Sequence, residues 1–155
     1  MTYRFATEAD CPLILGLIRQ LAVYEKMQDQ VVATEELLHE WIFEKKKAEV
    51  IFVCDGDREV GFALFFHNFS TFLGRAGIYL EDLFVLPEYR NKSYGKALLK
   101  KLAQITLERG CGRMEWSCLD WNKPSIDFYL SLGAAAMDEW TTYRLTGAKL
   151  EEMAR

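Results

Sequence analysis

Ile78-Tyr79-Leu80-Glu81-Asp82-Leu83-Phe84-Val85-Leu86 is apolar at every position but two, and Pro87 closes it. A run of this kind reads as a strand covered on both faces, the central member of an α/β sheet. Glu88 to Gly95 follow as a short polar turn. Leu98, Leu99, Leu102, Ala103 and Ile105 then mark one face of a helix, with Arg109 in its last turn and Gly110 as the stop signal. A buried strand that enters a helix through a basic turn is an arrangement suited to binding phosphate.

Working outward, 155 residues of which 50% are hydrophobic predict one domain, residues 1–155, with a substantial core. The net charge of −4 is a weak argument against nucleic acid as the main ligand and suits a cationic substrate, although charge alone reads more simply as an ordinary acidic surface. Cys11, Cys54, Cys111 and Cys118 show no CxxC spacing, and only His39 and His67 are present. This reads as a metal-free protein of the reducing cytoplasm. No apolar run approaches the roughly 18 residues of a membrane span, and no targeting segment precedes the first strand.

Tyr3 to Ala6 predict that first strand, and Thr7-Glu8-Ala9-Asp10 reads as a capping box, with Asp10 as an alternative cap because Pro12 belongs in a first turn. Leu13, Ile14, Leu17, Ile18 and Leu21 form a helical stripe ending near Tyr24-Glu25-Lys26. A second helix starts at Thr34 and carries Leu37, Leu38, Trp41 and Ile42; Lys45-Lys46-Lys47 read as its solvated end. Ala48–Cys54 and Glu59–Phe69 predict strands joined by a hairpin at Asp55-Gly56-Asp57. A turn with Gly74 and Gly77 leads into the apolar strand. Beyond Gly110 come a strand over Arg113–Leu119, a short helix begun by Asn122-Lys123-Pro124-Ser125, a strand over Trp140–Leu145 and a terminal helix or tail over Ala148–Ala154. Strands interrupted by a few helices predict a mixed α/β sheet.

Three places invite chemistry. In Arg90-Asn91-Lys92-Ser93-Tyr94-Gly95-Lys96 the backbone N–H groups of a helix start and three cations suit a diphosphate, although the turn reads equally as an exposed basic loop. Its Gly95-Lys96-Ala97 lacks the Ser or Thr of a nucleotide P-loop. Glu81 and Asp82 interrupt an apolar strand. As neighbours they are expected on opposite faces, one facing a cleft and the other serving structure as a partner for an arginine. Tyr129 lies beside Phe128 and Leu132 at helical spacing, where a tyrosine is more often core than catalyst. No cysteine has an evident activating base.

Together these pieces resemble the GNAT family of N-acetyltransferases, and within it the spermidine/spermine and thialysine acetyltransferases. The resemblance runs from Arg4 to about Leu145. It rests on Leu21-Ala22-Val23-Tyr24-Glu25-Lys26-Met27, Tyr79 to Val85, the Arg90 turn, and Trp121-Asn122-Lys123-Pro124-Ser125-Ile126-Asp127-Phe128-Tyr129. The family pattern Arg/Gln-x-x-Gly-x-Gly/Ala is met by Arg90 and Gly95, while Ser93 replaces the first glycine. Glycine lets backbone approach phosphate closely, so weaker but retained cofactor binding is expected.

The resemblance implies a single-domain GNAT fold, a mixed central sheet flanked by helices, commonly a homodimer. It implies acetyl-CoA with its diphosphate over Arg90, Asn91, Lys92, Ser93, Tyr94, Gly95 and Lys96. The pantetheine arm would follow the backbone of Leu83, Phe84 and Val85, and Asn122, Lys123, Pro124 and Ser125 would contact the cofactor from the other side. Tyr24, Glu25 and Glu81 fall to the amine substrate. A primary ammonium, pKa near 10.4, must lose a proton before it attacks a thioester. Glu81 takes that proton, a backbone N–H of the splayed strand stabilises the oxyanion, and Tyr129 matches the family's general acid for the departing thiolate. The expected activity is direct acetyl transfer to a primary amine of a small cationic substrate, of polyamine or diamine type. The alternatives are lysine-like amino acids or protein amines, and a CoA-binding regulatory module without turnover.

Overall fold

The computed structural model describes all 155 residues, which form two compact units, Met1–Ser117 and Cys118–Arg155. The first is built on a five-stranded mixed sheet of β1 (Thr2–Phe5), β2 (Glu49–Asp55), β3 (Arg58–Ser70), β4 (Arg75–Val85) and β5 (Met114–Trp116), in that spatial order. β1 to β4 are antiparallel neighbours, and β4 pairs with β5 in parallel. The apolar strand is therefore β4, interior but fourth of five; the middle position belongs to β3. Gly77 lies inside β4 and not in the preceding turn. A Cβ there would meet Asn68 Oδ1 at 2.6 Å and the Arg113 carbonyl at 3.0 Å. Glycine at 77 thus lets β3, β4 and the start of β5 close up.

Helices cover both faces. α1 (Cys11–Tyr24) buries Ile14, Leu17 and Leu21 against Val50, Phe52, Phe62 and Phe84, every second residue of their strands. Phe52 and Phe62 are fully buried, each worth about 1.5–3 kcal/mol in transfer terms. α2 (Glu35–Leu38) is capped by the Thr34 hydroxyl, which accepts from Leu37 N–H, and it continues into a π-helical turn, His39–Glu44, that buries Ile42. On the opposite face α3 (Tyr94–Glu108) buries Leu98, Leu99, Leu102 and Ile105. Thr7 and Asp10 do close a turn, with Thr7 N–H donating to the Asp10 carboxylate at 2.7 Å. Arg4 holds that carboxylate with two bonds of 2.8 Å and also binds Glu59, tying β1, the start of α1 and β3 together.

The second unit contains α4 (Lys123–Ser131) and α5 (Gly147–Ala154). Two strand expectations fail at this end of the chain. β5 spans three residues, not Arg113–Leu119, and Trp140–Leu145 form no strand. Trp140, Tyr143 and Leu145 are exposed. β-propensity measures fit to a half-buried pleated surface, and this segment pairs with no neighbour.

Candidate active site

The acidic dipeptide of β4 is reorganised by a β-bulge. Leu80 lies opposite Phe65 and Asp82 lies opposite Leu64, two steps along β4 against one along β3. Glu81 is the extra residue, and the alternation of side chains reverses across it. Strict alternation puts Glu81 and Asp82 on opposite faces; the bulge overturns that expectation. Asp82 takes the face of Leu64 and Phe84, which packs on the α1 side, and it is not a salt-bridged structural residue. Burial, then Glu81, then Glu25 push its carboxyl up to about 6 from an ordinary 3.8. Burial and Glu81 likewise raise Glu25, which ends α1. Glu25, Glu81 and Asp82 thus share one neighbourhood, and none of the chain's ion pairs includes any of them. The sequence signal was two adjacent carboxylates in an apolar run; the bulge that turns them together has no residue signature here.

The β4–β5 ladder ends at Leu80 and Trp116. Beyond it the β5-facing edge of Leu83 and Val85 has no strand partner, because Leu86 N–H donates to the Val60 carbonyl at 2.8 Å and its neighbours alternate. Arg90 Nε donates to the Val85 carbonyl at 3.1 Å. Its guanidinium lies 4.8 Å from the Tyr24 ring centroid and 5.3 Å from that of Phe84. Arg90 is therefore folded inward on β4 and the end of α1, while Lys92 lies over the Tyr89 ring.

Asn91 and Ser93 both hold left-handed backbone, φ 62° and 68°. This explains a glycine at the Ser93 position in the family pattern on backbone grounds alone. Ser93 caps α3 with no side-chain bond, and no acidic residue stands in the first turn, so the orphan N–H groups of that turn face an anion without competition. Gly95 has ordinary negative φ, and a Cβ there would touch Leu83 Cδ2 at 3.8 Å and Val85 Cγ2 at 3.9 Å, ordinary contact distances. The chain itself does not need glycine at 95, whereas a phosphate group drawn close to the backbone does. These residues fit the diphosphate of a coenzyme.

In the second unit the buried Asn122 side chain accepts from Ser125 N–H at 3.4 Å and caps α4. Pro124 occupies the first turn, and Lys123 pairs with Asp127 at 3.0 Å. Tyr129 is half-buried, with its ring 5.7 Å from that of Phe128.

A mixed sheet that opens beside a helix start free of acidic residues, with carboxylates at the bulge of the same strand, offers what an acyl-CoA-using transferase needs. The chain belongs to the acetyltransferase (GNAT) family, whose model matches residues 17–134, and it is an acetyl-CoA-dependent N-acetyltransferase. Thialysine N-epsilon-acetyltransferase of Bos taurus is 40% identical over 97% of this chain and 95% of its own length. L-ornithine N5-acetyltransferase of Arabidopsis thaliana is 33% identical over 96% and 85%. Among solved structures, an integron cassette protein from the mobile metagenome of V. cholerae superposes with a TM-score of 0.83, at 28% identity, over 99% of this chain and 97% of that one.

Proposed function

We propose that the protein acetylates a terminal primary amine on a small aliphatic cation. The observation that carries this reading is the group of three carboxylates, in which burial and the charge of Glu81 push up both Glu25 and Asp82 and none of the three is in an ion pair of the chain. Like charges held together call for a counter-charge, and an ammonium substrate supplies it. Diamines and polyamines meet the demand with two or more charges. Lysine-like amino acids form the second reading, favoured by relatives named for thialysine and ornithine.

Acetyl-CoA supplies a thioester carbonyl to be attacked and a thiolate that departs. The first turn of α3, with Lys92 and Lys96, binds its diphosphate, and the segment Leu83 to Val85, beyond the end of the β4–β5 ladder, lines its arm. Asn122 to Ser125 enter as further cofactor residues on the strength of their match to the family motif alone. Glu81, exposed at the bulge, accepts the ammonium proton directly or through water, and Tyr129 donates a proton to sulfur. Transfer is direct, with no metal and no acetyl-enzyme. The reading includes residues 1–155 working as one catalytic domain, a homodimer, and a cytoplasmic location that the four free thiols support. No helix is long and apolar enough to cross a membrane.

Glu81→Gln tests the carrying observation. Acetyl-CoA affinity by calorimetry stays at the wild-type value, while turnover falls by roughly 10²-fold, the scale of acid–base contributions, most strongly at neutral pH. An unaffected turnover assigns the proton elsewhere.

A further inference from the structure

We infer that Arg90 is a positioning residue that couples the cofactor turn to the substrate end of α1. The inference rests on the reading that acetyl-CoA binds over residues 91–96. Arg90 begins that turn, yet its side chain leaves it. Its Nε donates to the Val85 carbonyl at 3.1 Å, and its guanidinium lies 4.8 Å from the ring of Tyr24 and 5.3 Å from that of Phe84.

Tyr24 is the last residue of α1, and Glu25 caps it. Lys26 follows with φ 61°, so the chain leaves the helix through a left-handed residue that L side chains rarely adopt. On the other side, Asn91 and Ser93 hold the turn in the same uncommon region. Both segments that Arg90 joins thus hold residues in sparsely populated backbone, and the Arg90 side chain is the packed contact that bridges them. A ligand on the N–H groups of residues 94–96 fixes the turn, and with it the root of the Arg90 side chain. The cation–π contact then fixes the Tyr24 ring and the neighbouring Glu25 carboxylate. Coenzyme binding in this way prepares the amine subsite through a contact that touches neither ligand's reacting atoms.

Hydrogen exchange of the full-length protein, with and without CoA, tests this without any amine. The amides of Glu25, Lys26, Met27 and Gln30 are bonded to Leu21, Val23, Ala22 and Met27 carbonyls and so report the end of α1. In wild type, CoA slows exchange over residues 91–97 and, by about fivefold or more, over residues 25–30. In Arg90→Gln the protection at 91–97 persists at saturating CoA, and that at 25–30 is lost. Tyr24→Leu behaves the same way, whereas Tyr24→Phe, which keeps the ring, retains both. Equal protection of 25–30 in wild type and Arg90→Gln overturns the coupling, as does wild type in which only 91–97 responds. No response at 91–97 in wild type overturns the cofactor reading itself, and the coupling with it.

Discussion

Asp82 has the most perturbed carboxyl of the site, and the sign of its effect on stability follows from the direction of the shift. Its folded pKa of about 6 stands above the ordinary 3.8, so the unfolded chain releases this proton first. Folding suffers no penalty from Asp82 below about pH 4; the penalty grows between the two values and is full above about pH 6. Asp82→Asn should therefore melt at a higher temperature than wild type near neutral pH, and the advantage should vanish at about pH 4. A less stable variant at neutral pH would mean that Asp82 has a favourable partner. A bound ammonium pulls the same pKa down, so amine binding should strengthen as pH rises through 6. Ser93 is a second residue at odds with its backbone, at φ 68°. Ser93→Gly should stabilise by roughly 1 kcal/mol, offset in part by glycine's greater freedom when unfolded. It should also bind CoA at least as tightly as wild type. Thermal melts and calorimetry on the variant check both; a clear loss of affinity would make the serine hydroxyl itself a ligand.

At the scale of elements, the strand–turn–helix unit of β4 and α3 makes Gly95 diagnostic. Alanine is the better helix former by up to about 1 kcal/mol, and a Cβ at 95 meets only contacts of 3.8 Å and more. Gly95→Ala should leave thermal stability unchanged or improved while acetyl-CoA affinity falls. Unchanged affinity by titration calorimetry would place the diphosphate elsewhere. This unit was legible in the sequence because its signals are local: an apolar run, a proline stop, a helical stripe with its glycine. The order of the strands was less so, since β4 reads as central but sits fourth of five, and long-range pairing leaves little local trace. The bulge at Glu81 was illegible for the same reason. It is a mismatch between two strands, and it cannot be read from either alone. Trp140–Leu145 misled in the opposite way, with strand-forming residues and no strand to join.

For the whole molecule, the two ends of the sheet divide the work. The Arg4–Asp10–Glu59 network and the apolar face of α1 hold the scaffold together. The opening of β4 from β5 and the carboxylates at its bulge are left with unmet bonding capacity. The resemblance was carried by motifs spread over most of the chain, and the family match over residues 17–134 agrees with it. On the proposed reading the three carboxylates select the substrate by its charge and not by its length. The most direct measurement is thiol release from acetyl-CoA with a panel of putrescine, spermidine, ornithine, lysine, thialysine and a lysine-containing peptide. The account predicts rapid acetylation of one or more of the small terminal-amine cations and a slow or absent reaction with the peptide. Thiol release no faster than buffer with every cationic amine of the panel would contradict it.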